Sequence, residues 1–335
     1  MSLKKSERMI FKTDDMKIKL RNIIFLLAIF SAVVLNQSCG TPSNIPQTET
    51  VTQIYGSSFG NAPQVFSRYL PSDGIAEGTK IVFQTSNPER GLKVMNYHFE
   101  SLFGAPQDIS VIELDASRYE FKVADHVKLV RTSEIASAAG AAAAINGTFY
   151  DMKKGGSVCY LQIDGVVADT TKGRDMKVRA TGAVVVRKGK LSVEPWNQDK
   201  EKAFRSKLRK NTSVMATMPL LIMDGFAVEL PYYKGFSDKR HPRSVVFGKD
   251  GKVCLMVIDG RSKGNAAGMT LDEVQRYLVS IDGGKGCTSA VNLDGGGSST
   301  LWTAKDGIIN HPSDNSKFDH KGERRVANSI AAFKK

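Results

Sequence analysis

Downstream of residue 80 the chain reads as short apolar runs broken by Asp-Gly or Lys-Gly steps. Those dipeptides accept the positive φ angles of a two-residue turn, so each step between two apolar runs predicts a β-hairpin. Five are expected: Tyr160 to Val167 turning at Asp164-Gly165, Ala183 to Val193 at Lys188-Gly189, Leu221 to Val228 at Asp224-Gly225, Ser244 to Val257 at Asp250-Gly251, and Thr300 to Ile309 at Asp306-Gly307. Further strands are expected at Lys80 to Phe83, Ser110 to Leu114 and Tyr119 to Val123. Helical signals are few. Thr132 to Ala139 follows a Thr or Ser cap, Thr270-Leu-Asp-Glu273 forms a capping box ahead of Val274 to Val279, and the mixed-charge run Asp199 to Lys210 reads as a solvated helix. Many hairpins and few helices predict an α+β fold, with mixed or antiparallel sheets and a few packed helices, rather than alternating βαβ units. No solenoid or propeller repeat is present.

The N-terminal region follows another pattern. The uncharged apolar stretch Ile23 to Leu35 follows the basic run Lys17 to Arg21 and is short for a membrane span, as a signal-peptide core should be. Cys39 comes next, then a Ser, Thr and Pro-rich segment, which resembles a bacterial lipoprotein signal with Cys39 as the acylated residue. Asn36 departs from the aliphatic residue usual three places before that cysteine, and Met16, just ahead of the basic run, reads as the natural start. The expected organisation is therefore a signal peptide with an upstream extension over 1–38, a tether over 39–78 and a catalytic domain over 79–335. It implies an exported, membrane-anchored lipoprotein at the periplasmic face or cell surface.

Composition adds little to the fold but something to the partner. The formal charge is +13, and removing residues 1–38, which carry seven Lys or Arg and three Asp or Glu, leaves +9. A basic surface favours anionic partners. Nucleic acid is not expected, because no segment interleaves its basic residues with aromatics. Beyond Cys39 there are three cysteines, Cys159, Cys254 and Cys287; they cannot all pair within the chain, and no Cys/His spacing suggests zinc.

Chemistry gathers where strands end. Ser289 to Thr300 is a strand running into Asp294-Gly295-Gly296-Gly297-Ser298-Ser299, where glycines let main-chain amides approach a phosphate or a developing negative charge. Leu255 to Ile258 runs into Asp259-Gly260-Arg261, and Ala141 to Ile145 runs into Asn146-Gly147-Thr148-Phe149. Arg240-His241-Pro242-Arg243, Asn310-His311-Pro312-Ser313 and Gly322-Glu323-Arg324-Arg325 add polar residues beside apolar runs. Any one of these alone reads as a surface turn or ion pair; their convergence on one site is the functional expectation.

Six of these segments occur in order: Asn146 to Phe149, Arg243-Ser244, Asp259 to Arg261, Thr270 to Glu273, Asn292 to Thr300 and Glu323 to Asn328. Together they resemble the phosphodiester glycosidase family over roughly Ile81 to Phe333. One departure is Thr148, where many relatives carry Gly or another small residue. The resemblance implies an α+β catalytic domain that cleaves a sugar-1-phosphodiester at the anomeric carbon, and a phosphodiester-linked carbohydrate as substrate. The expulsion of a phosphate monoester needs little acid assistance, so a cationic cradle and a carboxylate are the main requirements. On that basis Asp294 is the expected catalytic carboxylate, with Glu323 second and Asp259 as its orienting partner. Arg243, Arg261, Gly295, Gly296, Ser298 and Ser299 are expected to hold phosphate, and Asn146, Thr148, Asn292 and Arg324 the sugar. No motif fixes a cofactor, and Asp, Asn and carbonyl oxygens near the acidic residues suit a divalent cation, calcium or magnesium. Two rival readings share these residues: a metal-assisted hydrolase cutting P–O, and a surface glycan-binding lipoprotein without turnover.

Overall fold

A computed structural model describes residues 79–281 and 286–335. The signal peptide, Cys39 and the tether lie outside the described residues. In chain order the strands are β1 Ile81–Glu89, β2 Leu92–Leu102, β3 Ala105–Asp115, β4 Tyr119–Arg131, β5 Ala143–Asn146, β6 Leu161–Ile163, β7 Val166–Asp169, β8 Gly182–Arg187 and β9 Lys190–Pro195. They continue with β10 Thr212–Thr217, β11 Leu220–Met223, β12 Phe226–Ala227, β13 Arg243–Lys249, β14 Lys252–Ile258, β15 Ser289–Asn292, β16 Leu301–Thr303, β17 Gly307–Ile308 and β18 Arg325–Lys334. The α-helices are α1 Thr132–Ala138, α2 Arg174–Arg179, α3 Gln198–Ser206 and α4 Leu271–Ser280.

The strands form three sheets, ordered β1-β2-β3-β14-β13-β15-β11-β12, β7-β6-β10-β8-β9 and β17-β16-β5-β18-β4. Every pairing among the described residues is antiparallel, so the mixed sheets allowed by the sequence are not seen, and the fold is mostly β with some helices. All five expected hairpins form. At Asp164-Gly165, Lys188-Gly189, Asp224-Gly225 and Asp250-Gly251 both turn residues have positive φ, which matches the right-handed twist of the strands they join.

One core, with Val94, Ile112, Phe121, Val184, Met215, Leu255 and Leu301, draws on all three sheets. A second packs the opposite face of the eight-stranded sheet, through Tyr97, Val111, Phe247 and Met256, against Leu271, Val274 and Leu278 of α4. The large sheet is thus buried on both faces, which explains the nearly unbroken apolar runs of β13 and β14. Thr270 and Glu273 close the expected capping box at the start of α4. Cys159, Cys254 and Cys287 are buried free thiols.

This architecture brings the strand ends together. Arg243 at the start of β13 pairs with Ile258 at the end of β14, and Val245 pairs with Asn292 at the end of β15, so Asp259 and Asp294 leave the same end of the sheet. Asp294 N donates to Gly147 O at 3.1 Å, joining that end to the exit of β5 in the third sheet.

Candidate active site

The Gly-rich segment after β15 is pinned from behind by its main chain. Leu293 N donates to Ser244 O at 2.8 Å and Gly296 N to Pro242 O at 2.9 Å, while Gly296 to Ser298 make a single 3₁₀ turn. Backbone forces the first glycine there, and two arginine side chains crowd the next two. A Cβ on Gly295 would lie 2.5 Å from Pro242 O, one on Gly296 (φ +63°) 2.8 Å from Arg261 Nη2, and one on Gly297 would run into the guanidinium of Arg324. Two arginines therefore lie directly on the turn. Arg261 arrives with φ +62°, a left-handed conformation that turns it away from the strand it follows. Arg324 is held by Asp314, to which Nε donates at 2.9 Å.

Asp294 sits half-buried at the mouth of this turn. Burial pushes its carboxyl up to about 6, against the opposing pull of Ser298, Arg324, the Gly295 amide and Arg261. A carboxyl group poised near neutrality can take up and release a proton at working pH. Ser298 Oγ lies near the carboxylate without a hydrogen bond of standard geometry, and Ser299 Oγ, Thr300 Oγ1 and Asn292 Oδ1 are buried and have no partner among the described residues. Buried polar atoms without partners are uncommon, and their concentration along this segment is what a site for a polar ligand provides.

Several residues expected to touch ligand are committed elsewhere. Asn146 is fully buried: its Nδ2 donates to Asp294 O at 2.7 Å, and its Oδ1 accepts from Ser244 Oγ at 2.7 Å and Thr300 N at 3.2 Å. Thr148 Oγ1 donates to Ala216 O at 2.8 Å, and Asn292 Nδ2 donates to Met218 O and Leu293 O, both at 2.7 Å. These three side chains build the walls rather than face a sugar. Arg243 is only 1% exposed, with Nε donating to Met269 O at 2.9 Å and Nη2 to Phe236 O at 2.7 Å and Lys239 O at 3.0 Å. Three of its N–H groups go to main-chain carbonyls and almost none of it is exposed, so the phosphate role expected for it gives way to that of an internal strut. Both carboxylate oxygens of Glu323 accept from Ser133, one of them from Ser133 N at 2.9 Å, which makes Glu323 a cap for the N-terminus of α1 instead of a second catalytic carboxylate.

Asp259 points away from Asp294. It accepts from Asn310 Nδ2 at 2.9 Å, His311 N at 2.8 Å and His311 Nδ1 at 3.0 Å. Asn310 also donates to Ser299 O at 3.1 Å, so Asp259 reaches the turn through an intermediary rather than by touching Asp294.

Sequence reasoning passed over two contributors, Tyr150 and Asp314. Tyr150 directly follows the Asn146 to Phe149 segment, and its hydroxyl donates to Arg325 O at 3.0 Å. Burial holds its phenol above the ordinary value and the nearby Asp294 charge adds to this, while Ser298 and Arg324 pull the other way, so it stays protonated at neutral pH. Asp314 lies in the loop after β17, where polar residues without periodicity gave no signal of their target; Asn310, in the same loop, belongs to a polar run the sequence did single out.

A half-buried carboxyl between two guanidiniums on a glycine turn defines a site for an anionic ligand in a mostly antiparallel β-protein. The chain belongs to the phosphodiester glycosidase family, which it matches over residues 139–333, and that membership implies a phosphodiester-glycosidase-like function. Among solved structures, the zebrafish N-acetylglucosamine-1-phosphodiester alpha-N-acetylglucosaminidase catalytic domain, auto-inhibited by its pro-peptide, is similar with a TM-score of 0.53 at 17% identity, covering 80% of this chain and 86% of that one. A putative exported protein from Burkholderia pseudomallei gives 0.54 at 12% identity, covering 79% and 98%. A hypothetical protein from Synechocystis gives 0.53 at 14% identity, covering 78% of this chain but 64% of its own length. At these identities the likeness speaks for the fold alone. Among curated proteins none matches.

Proposed function

We propose that the protein hydrolyses a sugar-1-phosphodiester at the anomeric C–O bond, releasing free sugar and a phosphomonoester. The observation that carries this reading is the juxtaposition of Asp294, raised to about 6 by burial, with Arg261 and Arg324 on the Gly296-Gly297 turn. The two guanidiniums bind the phosphate and stabilise the charge it gains as the C1–O bond breaks, the Gly296 amide expected there being committed to Pro242 O. The bridging oxygen leaves with the phosphate. Above pH 6 the Asp294 carboxylate accepts a proton from the water that attacks the oxocarbenium-like C1.

Residues 1–38 and Cys39 support export and lipid anchoring of this activity at the cell envelope, with phosphodiester-linked glycans there as substrates. The test is a panel of sugar-1-phosphodiesters, N-acetylglucosamine-α-phosphodiesters included, turned over in heavy-oxygen water by wild type and Asp294→Asn. Label in the sugar and loss of turnover in the variant support the reading. Label in the phosphate moves the cut to P–O, and full turnover by the variant removes Asp294 from the chemistry.

A further inference from the structure

Behind the glycine turn lies a second group of ligating side chains that the proposed reaction does not use. Asp108 on β3, Asp259 after β14 and His311 after β17 each offer a donor atom, all within 4.8 Å of one another. His311 Nδ1 is 3.0 Å from Asp259 Oδ2 and 3.7 Å from Asp108 Oδ1. Tetrahedral coordination with N and O donors at about 2.0–2.1 Å sets neighbouring donors about 3.3 Å apart, a spacing that these two distances bracket.

The surroundings fix the donors in place. Asp259 N donates to Asp108 O at 2.9 Å, His311 N donates to Asp259, and the His311 ring stacks on Phe318 and His320 with centroids 3.9 and 4.5 Å away. Asp259 is 1% exposed and Asp108 13%, so two carboxylates share a confined space in which one imidazolium cancels one charge and a dication cancels both. The cluster opens on a cavity of about 410 Å³ lined by Asn96, His98, Asp108, His311 and His320, which gives an ion a route in and leaves coordination positions for water. Asn96 Oδ1, in that lining, has no partner among the described residues.

We infer that Asp108, Asp259 and His311 form a binding site for a divalent first-row transition ion such as Zn²⁺ or Mn²⁺. The imidazole donor selects such ions over calcium and magnesium, which prefer all-oxygen shells. His98, whose Nδ1 lies 3.3 Å from Asp108 Oδ2, orients that carboxylate from the cavity side. The bound ion fixes Asp259 and, through Asn310, the Ser299 carbonyl of the glycine turn, so the site is structural support for the turn and separate from Asp294.

The test uses tag-free protein, stripped with chelator and dialysed against Zn²⁺ or Mn²⁺, with metal content measured by elemental analysis and melting temperature by circular dichroism. Wild type and Asp294→Asn are expected to retain about one ion per chain and to melt several degrees higher when loaded. Asp108→Asn and His311→Gln should each lose the ion and that gain; having two such variants guards against one that fails to fold. A wild type that holds no ion after loading overturns the inference, as does equal metal content in the folded Asp108→Asn and His311→Gln proteins.

Discussion

Asn146 holds Asp294 by its main chain: the Asn146 amide donates to the Asp294 carbonyl at 2.7 Å, while its own oxygen receives Ser244 and Thr300. A single buried amide thus sets where β13, β16 and the glycine turn meet. Asn146→Ala leaves at least two buried donors and one acceptor without partners, and is expected to cost about 2–3 kcal/mol of stability in urea unfolding and to depress turnover in the fraction that folds. Wild-type stability would show the amide to be dispensable.

Asp294→Asn is expected to abolish turnover while stabilising the fold above pH 6. The sign follows from the raised carboxyl: between the ordinary carboxylate value near 4 and about 6 the folded state holds the proton that the unfolded state has released, so wild type loses stability as pH rises through that window. The neutral variant escapes the loss. With a discount for partial exposure, its advantage should reach about 1–2 kcal/mol at pH 7.5 and vanish near pH 4, as read from paired denaturation curves.

Arg261 and Arg243 should behave as opposites although both belong to the same family of segments. Arg261 is exposed and lies on the turn, so Arg261→Ala should cut turnover about 10²-fold with an unchanged melting temperature. Arg243→Met removes three hydrogen bonds to main-chain carbonyls, leaving those of Phe236 and Lys239 without a donor among the described residues, and should cost about 3 kcal/mol. A phosphate role for Arg243 would instead appear as a raised KM in a protein of normal stability.

Gly297→Ala places a methyl group against the Arg324 guanidinium and within 2.6 Å of Asp314 Oδ1. Side chains yield more easily than backbone, so the variant should fold. It should nevertheless bind phosphodiester or a phosphate-bearing product several-fold more weakly, which titration calorimetry would reveal.

The hairpins were legible because Asp-Gly steps carry their own turn geometry, and so was α4, whose capping box is a local signal. β2 was missed although Met95, Tyr97 and Phe99 alternate with Asn96 and His98: no Asp-Gly or Lys-Gly step marks its ends, and its polar face lines a cavity with Asp108, a partner set by pairing and not by sequence neighbours. The glycine turn and Arg261 were visible for the same local reason as the hairpins. The reversal at Arg243, Asn146 and Glu323 was not, because whether a polar side chain faces a ligand or a carbonyl depends on elements far along the chain. Glu323, for example, finds its partner in Ser133, 190 residues away.

β18 lies between β5 and β4, pairing with β4 along most of its length and with β5 from Ser329 to Ala332. Until that strand is in place the third sheet has two open edges, and Arg324, immediately before it, has no fixed address near the turn. A partly made or clipped chain that lacks β18 is therefore expected to show no turnover, its bare sheet edges marking it for aggregation or proteolysis rather than for stray hydrolysis.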